Sequence, residues 1–368
     1  MNLFIENSYR QLESIRADFA GDQDLVRLKG WFKLTKTNQG HCDVLLLHDR
    51  ELEYEVHEWI GQRSTFELIM SRYKQFDNCL EEIGLPDHFA ARVVSGHGAI
   101  SSGQNIFLFF PDCFQLTGAK KEHFFGVELI DVWSNIFHRV IFPCVRRIFS
   151  YESQLNLLTK LAINMDKTIY LASIFHEVGH RVGSWKVSPR RDARIGVDEF
   201  YTDIFGELST DCLLVSHLSE FPELAIFVIL QRIFWFGRRG FLEDPYSGKI
   251  NLDNDSWLSG FIWNRLRICR ALELIGGRWS FDLDLAVIEI NRIVLEIDIL
   301  GQKIMLEDSF ENQNRRVFAW MKEQVQFVDG VGFIFSEELR NVYSQCSDLP
   351  EIPHFDPLIE RVAHSVVG

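Results

Sequence analysis

Near Gly126 the apolar residues of this chain change their period, and that change limits the folds open to it. Upstream the apolar runs are short. Val26-Arg27-Leu28-Lys29-Gly30-Trp31-Phe32 and Asp43-Val44-Leu45-Leu46-Leu47 flank the turn-like Thr35-Lys36-Thr37-Asn38-Gln39-Gly40, which predicts a hairpin. A third strand is expected around Leu52 to Trp59. Two further extended runs, Ala91 to Ser95 and Asn105 to Phe110, are joined by a Gly-rich stretch from Gly96 to Gly103. Residues 1 to about 23 and Ser64 to Ile83 read as helices. Downstream of Gly126, apolar residues recur at three- and four-residue spacing. That spacing predicts helices over 126–149 (interrupted by Pro143), 152–163, 167–182, 197–218, 222–238, 256–275, 283–306, 309–325 and 335–346. Ser347 to Gly368 reads as an irregular wrap. The expected class is α+β: a mixed α/β N-terminal domain (1–115) with a mostly antiparallel sheet, then a mainly helical C-terminal domain (116–368).

Length and composition exclude several function classes. At 368 residues and 46% hydrophobic, the chain buries a real core without disulfides or metals as staples. Its 38 Lys and Arg against 52 Asp and Glu give a net charge of −14, the opposite of what a phosphate-tracking nucleic-acid binder needs. The seven cysteines (Cys42, Cys79, Cys113, Cys144, Cys212, Cys269, Cys346) are odd in number, widely spaced and contain no Cys-x-x-Cys, which argues against a disulfide framework or a thiolate zinc finger. The N-terminal residues show no secretory signal, and Leu224 to Phe236 is too short to span a bilayer. A cytoplasmic location is expected, with no membrane or nucleic-acid partner.

One motif carries chemistry: His176-Glu177-Val178-Gly179-His180, inside an apolar-periodic segment from Ile169 to Val182, with Gly183 placed to end the helix. Residues four apart lie one turn above each other on one helix face, so both imidazoles can meet one ion. Glu177 projects beside them, where it can act as general base on a metal-activated water. Twelve histidines and 28 glutamates in this chain predict only about 0.03 chance occurrences of the pattern. Two histidines do not close a catalytic zinc site, which takes three protein ligands and leaves one position open. Downstream, Glu199, Asp203, Glu207 and Asp211 recur every four residues, an acidic stripe with no Lys or Arg partner at helical spacing. Like charges so placed repel, and a bound cation would relieve them.

At this point residues 165–212 resemble the gluzincin metallopeptidases, thermolysin-like enzymes in which a His-Glu-x-x-His helix is followed by a second helix bearing Glu-x-x-x-Asp. Here 18 residues separate His180 from Glu199, and Glu199-Phe200-Tyr201-Thr202-Asp203-Ile204-Phe205-Gly206 is similar to thermolysin's Glu-x-x-Ser-Asp-Ile-Phe-Gly run. The resemblance implies zinc held by His176, His180 and Glu199, with Asp203 orienting His176 and Glu177 as base. Gly179 would let the second helix approach closely. Glu207-Leu208-Ser209-Thr210-Asp211 is a rival Glu-x-x-x-Asp, preceded by Gly206 as in the neprilysin-like branch of the clan. In that alternative Glu207 is the third ligand and Asp211 its outer partner. Clan members also use a His and a Tyr as oxyanion donors; His217, Tyr246, His354 and His364 are the candidates here, with Arg190, Arg191 and Arg194 as further cations. A substrate-binding edge strand is sought in Ala91 to Phe110.

The expected function is therefore zinc-dependent hydrolysis of a peptide or small amide. Two alternatives remain. The same two histidines and carboxylate also describe a non-haem iron (Fe2+) centre that oxidises a peptide or small molecule. A metal could also merely brace two helices in a binding protein. For a peptide substrate held by its amino terminus, spare Glu207 or Asp211 could take the ammonium. His57-Glu58 and His97 have no partner at ligand spacing, and no phosphate loop, Gly-x-Gly-x-x-Gly or Gly-x-Ser-x-Gly occurs.

Overall fold

Where the sequence suggests a third strand, Asp49 starts a helix. Its carboxylate accepts from the Leu52 backbone N–H at 3.1 Å, and α1 runs over Arg50–Ile60. Leu52, Val56 and Ile60 are the buried residues. Their four-residue period puts one face on the core, which the reading of alternation over Leu52 to Trp59 misses. Gly61, at φ 64°, closes the helix in the left-handed region.

A computed structural model describes residues 14, 16–33, 39–74, 76, 87–98, 125–186, 197–246, 248–250 and 254–351. The expected run Asn105 to Phe110, the helix beyond residue 76, residues 1–13 and most of the C-terminal wrap lie outside them. The fold is α+β. The N-terminal sheet has the order β1-β2-β3-β4: β1 (Leu25–Lys33), β2 (Gln39–His48), β3 (Asp87–Gly98) and β4 (Phe125–Leu129). The expected hairpin forms, antiparallel, with Leu25 opposite Leu47 and Lys33 opposite Gln39. β3 pairs antiparallel with β2 and β4 adds parallel to β3, so residues 126–129, read from sequence as the start of a helix, complete the sheet instead. Gly126, Val127, Glu128 and Leu129 are all buried, as a strand covered on both faces requires.

After α2 (Thr65–Tyr73), the remaining helices are α3 (Ile130–Ile136), α4 (Phe142–Ile148), α5 (Tyr151–Ile163), α6 (Met165–Gly179), α7 (Glu199–His217), α8 (Pro222–Gln231), α9 (Arg238–Glu243), α10 (Asn254–Ile268), α11 (Leu283–Met305), α12 (Phe310–Gln324) and α13 (Glu337–Gln345). Two π-helical turns, Phe137–Ile141 and Arg232–Gly237, join α3 to α4 and α8 to α9. Short hairpins at β5–β6 (Leu272–Ile275, Arg278–Phe281) and β7–β8 (Phe327–Val328, Gly332–Phe333) interrupt the helical region. The first of these ends α10 seven residues before the expected boundary at 275. Gly276 and Gly277 both have positive φ, the backbone a tight two-residue hairpin turn requires.

Helix α6 lies at the centre. Thr168, Ile169, Tyr170, Leu171, Ala172, Ile174, Phe175 and Val178 are all buried, so apolar residues surround most of its circumference. It packs on α1 and α3 from the sheet side and on α7 and α8 from the helical side. Helix α7 in turn lies across α11 and α10. The motif helix is therefore held between the two halves of the chain.

Candidate metal centre

Helix α6 ends at the motif. His180 caps it, its backbone N–H still bonded to the His176 carbonyl at 3.2 Å, and Gly183 turns the chain away at φ +81°. The next residues are fixed to α11: the Trp185 indole N–H donates to the Ile297 carbonyl at 2.8 Å, and the Ser184 hydroxyl bonds Asp298. Trp185 also stacks on Phe205 of α7, ring centroids 4.3 Å apart. These contacts set the position of α7 relative to α6. The helices meet at Gly179, where a Cβ would stand 2.8 Å from Thr210 Cγ2 and 3.2 Å from Thr210 Cα. Any side chain at 179 would push the helices apart, as the sequence reading of Gly179 anticipates.

That crossing decides which acid faces the histidines. His176, His180 and Glu207 form a group whose possible ligand atoms lie within 4.8 Å of one another, the one such group among the described residues. Glu199, expected as third ligand, is the exposed first residue of α7 and is not part of it. Eight residues precede Glu207 on that helix, about 12 Å along the axis, so the two cannot serve the same point. Asp203, expected beside His176, is likewise not its partner; the Asp211 carboxylate is, at 3.0 Å from His176 Nδ1. Of the two Glu-x-x-x-Asp pairs that the sequence offers, the structure brings Glu207 and Asp211 to the histidines.

Hydrogen bonds fix both imidazole tautomers. The Asp211 carboxylate can only accept, so His176 Nδ1 donates to it. The Thr210 hydroxyl donates to the Gly206 carbonyl at 2.8 Å and so accepts from His180 Nδ1 at 3.2 Å. In the neutral rings both Nε2 atoms are then left as acceptors, and they face each other at 3.2 Å. Two lone pairs at that distance need a proton or a metal cation between them. Thr210 escaped the sequence reading; its only trace there is its place one residue before Asp211.

Charge tells the same story. Burial works against protonation of His176, but Glu207 and Asp211 outweigh it and hold its pKa well above the ordinary histidine value. For His180 burial wins over Glu207, and its pKa falls to about 4. Burial alone would raise the Glu207 carboxyl, yet His176, His180 and Arg232 hold it well below the usual range. Asp211 is held low in the same way, by Arg232 and His176 against burial. The buried Arg232 binds Glu207 at 2.7 Å and also pairs with Asp211 and Asp255, so three carboxylates meet one guanidinium. The Lys or Arg partner missing from helical spacing comes from another helix.

The donor set fits a divalent ion. With metal–ligand bonds of ~2.0–2.1 Å, neighbouring ligand atoms of a tetrahedral centre lie ~3.3 Å apart. The three observed separations are 3.2 Å between the Nε2 atoms, 3.4 Å from His176 Nε2 to Glu207 Oε2 and 3.5 Å from His180 Nε2 to Glu207 Oε1. The side chains remain 20–25% exposed, so one side of the group is open. Three protein ligands with an open side are the arrangement of a catalytic rather than a structural zinc. Glu177 is half-buried beside the pair.

A second carboxyl lies close by. Glu128 of β4 is 1% exposed, and its Oε1 has no hydrogen-bond partner among the described residues. Burial, reinforced by the Glu177 charge and opposed by a Ser173 hydrogen bond, pushes its pKa up to about 8. The fold therefore favours the protonated form. The stability this gives is complete below the unfolded value near pH 4.5 and is lost as pH rises through about 8. Glu128→Gln is expected to flatten the pH dependence of stability between about pH 5 and 8, removing a slope of ~1.4 kcal/mol per pH unit. Denaturant unfolding of metal-free protein at several pH values checks this; equal slopes in both proteins would refute it.

Of the other expected residues, His217 packs edge-on against Tyr73 and Phe76, and burial lowers its pKa. Tyr246 is 97% exposed, which suits no oxyanion donor in a shielded site. Arg190, Arg191, Arg194, His354 and His364 lie outside the described residues. Among the described residues no helix is long and apolar enough to cross a membrane.

No family model matches the chain, and no curated protein matches it in sequence. Solved structures do match. DPP III from Caldithrix abyssi superposes with a TM-score of 0.62 at 13% identity, covering 95% of this chain and 64% of that one. Dipeptidyl-peptidase III from Corallococcus sp. strain EGB gives a TM-score of 0.52 at 10% identity, covering 94% of this chain and 64% of that one. This chain thus shares the fold of two dipeptidyl-peptidase III structures and spans about 64% of their length.

Proposed function

We propose that the protein is a zinc metallopeptidase, with His176, His180 and Glu207 as metal ligands, Asp211 and Thr210 holding the two imidazoles, and Glu177 as general base. The observation that carries this reading is the pair of Nε2 acceptors facing each other beside the Glu207 carboxylate, with an open side. The shared fold with structures named dipeptidyl-peptidase III supports peptide as the substrate.

A divalent ion held by these ligands supplies Lewis acidity, polarising a carbonyl and making water a better acid. The protein's own groups do the rest. Glu177 follows His176 on α6, is half-buried and lies outside the ligand group; as general base it would face the attacking water. Its carboxylate takes a proton from that water and returns it to the leaving amine nitrogen. Asp211 keeps His176 Nδ1 protonated and its ring fixed, and Thr210 does the same for His180. The two ligand rings then keep their tautomers through turnover.

Elemental analysis of protein purified without added metal, with peptide turnover assayed on internally quenched peptides and on N-terminal dipeptidyl reporters, tests the proposal. About one zinc per chain and chelator-sensitive hydrolysis are expected. Iron with oxygen-dependent turnover would replace the hydrolytic reading by the oxidative one. Metal without turnover of any substrate tried would favour a brace between α6 and α7.

A further inference from the structure

Arg232 comes from neither motif helix. Helix α8 passes into a π-helical turn at this residue. The following backbone is locked in height. A Cβ on Gly237 would fall 1.9 Å from Ser259 Oγ, and one on Gly240 1.8 Å from Ser256 Oγ, so this segment lies backbone-close on α10. Phe236 supports the guanidinium from one face, 5.1 Å from its centroid. The group is 4% exposed and each of its three nitrogens is engaged. Nη2 donates to Glu207 Oε2 at 2.7 Å, Nε donates to Asp211 Oδ2, and Nη1 pairs with Asp255 of α10.

Two of these contacts bear on the metal ligands by different routes. Glu207 is gripped directly. Asp211 spends one oxygen on Arg232 and the other on His176 Nδ1, so the guanidinium also reaches His176 through the carboxylate. A planar fork with fixed donor directions can hold two carboxylates in one geometry; a single ammonium cannot.

We propose that Arg232 is a positioning residue of the metal centre, which sets the orientation of Glu207 and, through Asp211, of His176. This rests on the metal-centre reading above. It places control of the site on the π-helical turn after α8, a region outside the segment that carries the motif.

Three variants test it: Arg232→Met, Arg232→Lys and Arg265→Met. Arg265 is a comparator, because it too is a largely buried guanidinium, paired with Glu289 and Glu296, but remote from the histidines in its contacts. The readouts are zinc affinity by chelator competition, the visible spectrum of the cobalt(II)-loaded protein, and thermal unfolding of metal-free protein. Arg232→Met is expected to lower zinc affinity by ~10–100-fold and to shift the cobalt bands. Arg232→Lys keeps the charge without the fork and should lose ~10-fold. Arg265→Met should lower thermal stability while leaving affinity and spectrum as in the wild type. If Arg232→Met fails to fold, Arg232→Lys carries the comparison. Wild-type affinity and spectrum in the folded Arg232 variants would overturn the proposal, as would an equal loss in Arg265→Met, which marks general destabilisation. Wild-type protein that binds neither ion would overturn the metal-centre reading itself, and this assignment with it.

Discussion

Glu177→Gln protein is expected to keep about one metal ion per chain and its wild-type fold, and to lose peptide hydrolysis by at least ~100-fold. Gln preserves the size of the side chain and most of its hydrogen bonding but cannot accept a proton. A loss of that size corresponds to ~2.7 kcal/mol of barrier, the lower end of what a positioned general base contributes. Metal retention is as informative as the rate. Glu177 lies outside the His176, His180 and Glu207 group, so its replacement should leave the ligands untouched. Turnover and metal content are measured on the same sample. A variant that keeps both its metal and its activity refutes the hydrolytic mechanism, while one that loses the metal makes Glu177 a ligand.

The second large effect separates the two acidic pairs of α7. Glu207→Gln should weaken zinc binding by more than ~100-fold, beyond the range typical of an outer-shell residue, whereas Glu199→Gln should leave it nearly unchanged. The ground is geometric: Glu207 stands 3.4 Å and 3.5 Å from the two Nε2 atoms, and Glu199 opens the helix two turns earlier. A second consequence concerns stability. Without the Glu207 carboxylate the metal-free protein also loses one of the three partners of the buried Arg232. With Asp211 and Asp255 still paired to Arg232, the loss should stay below the ~3–5 kcal/mol typical of a buried charge left alone, and thermal unfolding should accompany the metal titration. The reverse order of affinities, with Glu199→Gln the weaker binder, would return the third ligand to the start of the helix.

Much of this was legible in the residues. The hairpin of β1 and β2 followed from alternation around a turn-forming stretch, and most helix positions beyond residue 150 followed from apolar spacing, because both patterns are local. The His-Glu-x-x-His face is local too, since helix geometry alone brings residues four apart together. Errors arose where a local pattern had two readings. Leu52, Val56 and Ile60 lie on one helix face, yet short windows over the same stretch resemble a strand. Residues 126–129 carry helix-compatible spacing but gain more by completing a sheet against β3. The hairpin at Leu272–Phe281 hid behind the apolar run that ends α10.

What the sequence determined by itself was a pair of imidazoles and an adjacent carboxylate on one buried helix, and a downstream helix with an acid every fourth residue. It could not say which acid meets the imidazoles, because every member of the stripe satisfies the same periodicity. That choice depends on where two helices cross, and the crossing is fixed by contacts distant in sequence: Gly179 against Thr210, Trp185 against Phe205, and Trp185 on the Ile297 carbonyl of α11. The same holds for Arg232, which no spacing within 165–212 could reveal. Only tertiary packing brings its guanidinium from the turn after α8 into a cluster of three carboxylates, where burial makes each pairing count.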